Sequence, residues 1–351
     1  MVYEGFNKGT LKGVSLGCLG AVLVAAGLFS AAGSARASTD PGQRSTPLPE
    51  TEGVQGLVVN RTSAFVVWAD APLGHSAAVN DTTGQVAWHT TTAESADLIA
   101  AGNGVVWTAQ NYAGSSLVEQ QGSTGRTLAR LTAPGQANWS SIAATGPFLY
   151  GFTAGAQDKV LTVYDGAHMV RRVTTGLPSD ESCHSVVGGA SLYLACFGPT
   201  EDSVYRISTR TGRVLAHSAA MTLDGGESTL AYQDGSLYVV TSAETNTQPA
   251  TVVRLDPATL KVDAVSVPLD VQDISTTGTE VLVLVAAGNS SPGSVVALNS
   301  TTLSQKSSTS IDSPGAFPTS FAASAHDAYV VEVTSYSQNG PVEALIQVPL
   351  S

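Results

Sequence analysis

One position recurs seven times along this chain at a nearly constant spacing. It is occupied by Phe65, Trp107, Tyr150, Tyr193, Tyr238, Leu282 and Tyr329. Successive members lie 42 to 47 residues apart, and six of the seven are aromatic in a chain that is only 6% aromatic. A period of this length indicates one supersecondary unit that is repeated and stacked against its neighbours.

Each repeat is divided by turn residues into short runs rich in Val, Leu, Thr and Tyr, such as Ser236 to Thr241 and Thr251 to Leu255. Such runs predict four antiparallel strands per repeat, and no segment after residue 37 has a helical period with caps. The expected fold is therefore all-β, a seven-bladed β-propeller with four-stranded antiparallel blades over residues 53–351. The last repeat lacks a fourth strand, and we expect the segment around Pro47 to Val54 to supply it and close the ring.

Composition excludes several functional classes. The chain is 13% charged and carries a formal net charge of −12, with 16 Lys and Arg against 28 Asp and Glu. Low charge content argues against a charge-driven disordered chain or a coiled coil. Sparse cations in an acidic chain argue against a nucleic-acid partner, because phosphate binding relies on clustered Lys and Arg.

The first 37 residues have the layout of a secretory signal peptide. Lys8 and Lys12 precede an apolar stretch over residues 14–32, and Ala35 to Ala37 form an A-x-A pattern. We predict cleavage after Ala37 and a secreted protein. The alternative is an uncleaved membrane anchor over residues 14–35, the only case in which we expect membrane contact. Residues 38–52 are rich in Pro, Ser and Thr and are interpreted as a linker.

Cys183 and Cys196 are the two cysteines that follow the signal segment. They flank a strand, a Gly-rich turn and a second strand, and a symmetric hairpin places them opposite each other. We therefore predict a disulfide, as is usual in an oxidising compartment. The alternative, a redox pair or a metal site, lacks the C-x-x-C spacing.

Two segments resemble known propeller repeats. Leu237 to Ser242 followed by Val252 to Thr259 looks like the YVTN repeat, and Val79 to Trp88 looks like the repeat of PQQ-type propellers. The resemblance implies a fold used by lactonases, lyases and binding scaffolds. Because the Trp of the PQQ-type repeat appears only as Trp88, no PQQ cofactor is implied. The Ala/Gly/Thr-rich, Lys-poor composition resembles that of exported actinobacterial proteins.

No catalytic sequence motif is present, and the six His residues show no pair at metal-ligand spacing. In a propeller, the connections between blades and those between second and third strands gather on one face. Acids in these connections are candidate ligands for Ca²⁺ or Mg²⁺, or simply solvated loop residues. These candidates are Asp97, Asp180, Glu181, Asp224, Glu227 and Asp273.

Two further residues are candidate ligand-binding groups. His184, like His75, stands where it would pair with a carboxylate for acid/base chemistry. Trp139, placed by the sequence in a connection between blades, is a candidate surface for carbohydrate or protein.

The leading functional hypothesis is a secreted, monomeric binding module for an extracellular or cell-surface protein or carbohydrate. The alternative is a divalent-cation-dependent hydrolase or lyase of the propeller lactonase type.

Overall fold

The computed structural model describes residues 42–48, 53–60, 62–70, 73–92, 96, 98–111, 115–134, 137–179, 181–198, 201–223, 229–242, 249–285, 293–311, 317–337 and 340–350. Met1–Arg36 and Ala37–Ser351 form separate units, and every described residue belongs to the second. The predicted signal peptide and its cleavage site lie outside the described residues. Within those residues, no helix is long and apolar enough to cross a bilayer.

The described strands form seven sheets of four antiparallel strands, which confirms the predicted seven-bladed propeller. Blade 1 contains β2 (Val54–Val59), β3 (Ser63–Asp70), β4 (Leu73–Asn80) and β5 (Val86–Thr92). Blade 2 contains β6 (Leu98–Ala101), β7 (Val105–Gln110), β8 (Ser116–Gln121) and β9 (Thr127–Thr132). Blade 3 contains β10 (Trp139–Thr145), β11 (Phe148–Thr153), β12 (Asp158–Asp165) and β13 (His168–Pro178).

The remaining blades follow the same order. Blade 4 contains β14 (Ser182–Gly188), β15 (Ser191–Phe197), β16 (Ser203–Ser208) and β17 (Val214–His217). Blade 5 contains β18 (Leu230–Gln233), β19 (Ser236–Thr241), β20 (Thr251–Leu255) and β21 (Val262–Val265). Blade 6 contains β22 (Val271–Thr276), β23 (Glu280–Val285), β24 (Ser294–Asn299) and β25 (Gln305–Ser310). Blade 7 contains β26 (Phe317–Ala323), β27 (Asp327–Ser337) and β28 (Gly340–Pro349), completed by β1 (Arg44–Pro47).

The ring is closed by a strand from the N-terminal side of the propeller, as expected. β1 pairs antiparallel with β28, and Arg44 is the register partner of Gln347. The Thr46 hydroxyl also donates to the carbonyl oxygen of Gly84 in blade 1, at 2.6 Å. The closing strand lies earlier than the predicted Pro47 to Val54 and falls within the segment interpreted as a linker, because Val54 already begins β2.

The recurring aromatic position lies on the second strand of every blade, where its side chains pack between sheets. All seven side chains are buried, with at most 5% of their surface exposed; they are Phe65, Trp107, Tyr150, Tyr193, Tyr238, Leu282 and Tyr329. The repeat detected in the sequence is therefore a repeat of core positions.

The two faces of the propeller differ in the length of their connections. First-to-second strand turns are two or three residues long in every blade, and they share one face, the turn face, with the third-to-fourth turns of two to six residues. The opposite face, the loop face, carries second-to-third connections of two to nine residues and fourth-to-first connections of three to twelve. The larger variation in connection length between blades therefore lies on the loop face.

Candidate functional site

The first strands of the seven blades line a central channel, since each contacts the first strands of both neighbouring blades. Strand register places one residue of each blade at an equivalent height near the loop face. We call these residues the channel ring: Gly56, Leu98, Ser141, His184, Thr229, Asp273 and Ser320. All seven line one cavity of about 210 Å³.

Five consecutive members of the channel ring are polar, and side chains of the ring form hydrogen bonds that join neighbouring blades. His184 Nδ1 lies 3.1 Å from the Thr229 hydroxyl, joining blades 4 and 5. The Ser141 hydroxyl lies 2.5 Å from the hydroxyl of Ser185, joining blades 3 and 4. These contacts fasten neighbouring blades around the channel mouth.

Asp273 lies in β22 and not in a connection between blades, which corrects the position expected from the sequence. It is the one carboxylate among the described residues that line the channel. Its side chain is 3% exposed. One carboxylate oxygen accepts the N–H of Ile274 at 2.7 Å, and the other accepts the N–H of Phe321 in blade 7 at 3.1 Å. Both oxygens therefore satisfy buried backbone donors, the arrangement that a structural carboxylate requires.

His184 lines the same cavity as Asp273. Its ring meets the Phe197 ring edge-on, with centroids 5.4 Å apart. Burial lowers the pKa of His184 from its ordinary value of 6.5, because desolvation disfavours the charged imidazolium. The imidazole is consequently neutral near pH 7.

The apolar side of the channel mouth requires close backbone packing. Gly56 occupies the ring position in blade 1, where a Cβ atom would lie 2.8 Å from Cγ2 of Ile99 in blade 2. Leu98 follows in blade 2, so the polar part of the ring is confined to blades 3 to 7.

The predicted disulfide is confirmed. Cys183 and Cys196 are direct register partners on β14 and β15 and are bonded, with Cα atoms 4.1 Å apart. A Glu181 carboxylate oxygen lies within 4.8 Å of both sulfurs. Sulfurs that are bonded to each other cannot serve as thiolate ligands, so this group is not a metal centre.

The described residues do not bring the candidate metal ligands together. Glu181 and Asp273 are described, and outside the Glu181 group no cluster of three ligand-type side chains occurs in the described parts of the chain. The other four candidates, Asp97, Asp180, Asp224 and Glu227, lie outside the described residues.

Trp139 lies in β10 and not in a connection, and only 2% of its surface is exposed. Its indole N–H donates to the Ser115 carbonyl at 3.3 Å. Its ring covers Gly151, where an added Cβ would lie 2.4 Å from a ring carbon. Trp139 is a core residue of blades 2 and 3, which corrects the surface role suggested by the sequence.

His75 also lies within a strand, β4, and a second histidine lies beside it. His75 Nδ1 is 3.1 Å from Nε2 of His89 on β5. The sequence has no His pair at metal-ligand spacing, since fourteen residues separate these two, and the β4–β5 hairpin brings them together.

The sequence analysis named His184 and Asp273 singly but did not identify the channel ring as a group, although the sequence contains a signal for it. Each ring residue precedes the recurring core position of its own blade by nine residues, from Gly56 before Phe65 to Ser320 before Tyr329. Once the core register is found, counting back nine residues identifies the ring.

Comparison with known proteins supports the fold alone. No family model and no curated protein matches the chain. Among solved structures, BamB from Moraxella catarrhalis is 17% identical, with a TM-score of 0.51, over 83% of this chain and 85% of its own. The WD40 repeats of RRP9 are 9% identical, with a TM-score of 0.61, over 90% and 99%. Hydrazine synthase from Kuenenia stuttgartiensis is 13% identical, with a TM-score of 0.60, over 84% and 96%.

Proposed function

We propose that this protein is an exported interaction module that binds a protein partner through the loop face of blades 4 to 6. The proposal rests on the difference in connection length between the two faces of the propeller. Turn-face connections between first and second strands never exceed three residues, whereas the longest loop-face connections contain twelve, nine and eight residues. In repeat proteins, insertions of variable length on one face commonly form the binding surface.

These three long connections are neighbours around the ring. They span residues 218–229, between blades 4 and 5, residues 242–250 in blade 5 and residues 286–293 in blade 6. Together they contain three acids, Asp224, Glu227 and Glu244, and no Lys, Arg or His. A partner with a basic surface would complement this charge and associate faster at low ionic strength.

Three observations support an exported binding module over the other hypotheses. The Cys183–Cys196 bond is typical of proteins in oxidising compartments. Asp273 and His184, the described candidates for chemistry in the channel, hold backbone and hydroxyl groups of neighbouring blades. Trp139, which suggested a carbohydrate surface, is buried, so a protein partner is favoured.

The test is capture of partners from envelope extract and culture medium, followed by mass spectrometry. We expect Glu227→Lys to weaken capture of the partner, while the matched reversal Asp165→Lys, on an exposed turn-face residue, leaves capture unchanged. Circular dichroism and melting temperature establish that both variants are folded. A partner that is retained equally by both variants, or the absence of any specific partner, would count against the proposal.

A loop replacement provides a second test. Val285 and Ser294 are register partners at the ends of the connection in blade 6. Replacing residues 286–292 with two glycines leaves Gly293, whose carbonyl accepts the N–H of Ile311, and closes the hairpin with three residues. We expect this variant to fold and to bind the captured partner more weakly than the wild type does.

A further inference from the structure

Three aromatic rings meet on one face of blade 1. Trp68 on β3, His75 on β4 and His89 on β5 have ring centroids 5.3 to 5.4 Å apart, with interplanar angles between 7° and 20°. Trp68 is the direct register partner of His75, and His89 is the partner of Ala77, so the two histidines are diagonal neighbours on the same face. The indole forms a flat support for two nearly parallel imidazoles.

Two ring nitrogens of this group converge on each other. His75 Nδ1 and His89 Nε2 are 3.1 Å apart. When two imidazole nitrogens bind the same metal ion, each at about 2.0–2.1 Å, the nitrogens lie about 2.9 Å apart in a square-planar arrangement and about 3.4 Å apart in a tetrahedral one. The observed separation lies between these values, so the spacing of the two nitrogens suits one shared ion, which would replace the contact between the two rings.

The backbone holds the two strands in fixed register. The turn between β4 and β5 is organised by the Asn80 side chain, whose oxygen accepts the N–H groups of Thr82 and Thr83 at 3.1 and 2.9 Å. The hydroxyl groups of Ser76 and Thr90 add a cross-strand contact of 2.8 Å. The histidines are therefore positioned before any ligand arrives, which lowers the entropy cost of chelation.

The exposure of the two histidines and the metal preference of imidazole indicate which ion this pair would bind. His89 is exposed and His75 is half-buried, so solvent completes the coordination sphere of a bound ion. Imidazole nitrogen favours Cu²⁺, Ni²⁺ and Zn²⁺ over the hard ions Ca²⁺ and Mg²⁺, and Cu²⁺ stands highest in the order of stability. We propose that His75 and His89 form a two-histidine site for a divalent transition metal, with Cu²⁺ bound most tightly.

The experiment uses the full chain without a histidine tag. Cu²⁺ is titrated at pH 7.5, with tryptophan fluorescence and isothermal calorimetry as readouts. Because Trp68 stacks against both ligands, we expect bound Cu²⁺ to quench its emission, and a large excess of Zn²⁺ to reverse the quenching by competition. Electron paramagnetic resonance of the copper complex should show coupling to two imidazole nitrogens.

His89→Gln removes one ligand from an exposed position, and we expect Cu²⁺ affinity to fall by at least about tenfold. His168→Gln, on an exposed histidine of blade 3, is the matched control and should retain wild-type affinity. Equal affinity in His89→Gln and wild type, or no binding at micromolar Cu²⁺, would overturn the proposal; the His75→Gln variant repeats the test from the other strand.

Discussion

The hydroxyl of Tyr238 in blade 5 donates a hydrogen bond of 2.8 Å to the carbonyl oxygen of Ser300, in the third-to-fourth turn of blade 6. The same connection recurs one blade earlier, where the Tyr193 hydroxyl donates to the Pro257 carbonyl at 3.2 Å. The recurring aromatic position thus fills the space between sheets, and at Tyr193 and Tyr238 it also ties its blade to the turn of the next one.

The variant Tyr238→Phe keeps the buried ring and removes only the hydroxyl. We expect a loss of about 1 kcal/mol in the free energy of unfolding, the usual net value of such a hydrogen bond. Chemical denaturation measures the change. The control is Tyr336→Phe, which removes a hydroxyl from a residue that is 74% exposed. It should leave the free energy of unfolding unchanged within experimental error. Equal effects of the two variants would contradict the role assigned to the Tyr238 hydroxyl.

Much of the fold could be predicted from the sequence because core positions repeat at constant spacing. Leu282 occupies the aromatic register without being aromatic, and the spacing alone was sufficient to include it. The disulfide was predictable for a local reason, since Cys183 and Cys196 are symmetric about a two-residue turn.

The channel residues and the histidine pair were not predictable in the same way. The channel ring contains six residue types among seven positions, so no motif marks it. His75 and His89 meet only because a five-residue turn sets the register of β4 and β5. Trp139 was misplaced because its strand begins at the tryptophan itself, where the sequence suggested a connection.

The disulfide should stabilise the fold by constraining a short segment of the unfolded chain. We expect the double variant Cys183→Ala/Cys196→Ala to lose up to about 3 kcal/mol. Thermal unfolding with and without reductant provides the test. Reductant should lower the melting temperature of the wild type and leave that of the double variant unchanged; a reductant effect of equal size on both proteins would show that another group is responsible.

Asp273 should behave as a structural carboxylate. Asp273→Ala leaves the buried N–H groups of Ile274 and Phe321 without their acceptor, and we expect it to cost about 2–4 kcal/mol, one penalty for each donor. Asp270→Asn, on an exposed residue directly before β22, is the control and should cost little.

The same variant separates the structural role from the cation-dependent alternative. If Asp273 only caps backbone donors, millimolar Ca²⁺ or Mg²⁺ should leave the melting temperatures of the wild type and of Asp273→Ala unchanged. A cation-induced rise in the wild type that disappears in the variant would support a hydrolase or lyase with a metal at the channel mouth.

His184 should make the protein less stable in mild acid. Because burial lowers the pKa of His184 in the folded state below its ordinary value of 6.5, the unfolded state takes up a proton first as the pH falls. The contribution of neutral His184 to the free energy of unfolding is therefore fully present above about pH 6.5. It declines as the pH falls from there towards the lowered folded-state pKa.

The variant His184→Gln retains a group able to bond Thr229 and removes the titration. Melting temperatures measured between pH 7.5 and pH 5 should fall less in this variant than in the wild type. His168→Gln serves as the control and should follow the wild-type curve; identical pH dependence in wild type and His184→Gln would exclude His184 as the source.

The pairing of β1 with β28 has a consequence for the order of events during synthesis. Arg44 and Gln347 are register partners although 303 residues separate them, so the first of the described strands is synthesised long before the strand with which it pairs. Blades 1 to 6 are each assembled from neighbouring segments and can form as the chain is made. Until β28 has been made, β1 cannot form its pairing and the ring stays open, so a nascent chain exposes an unpaired edge that is prone to aggregation.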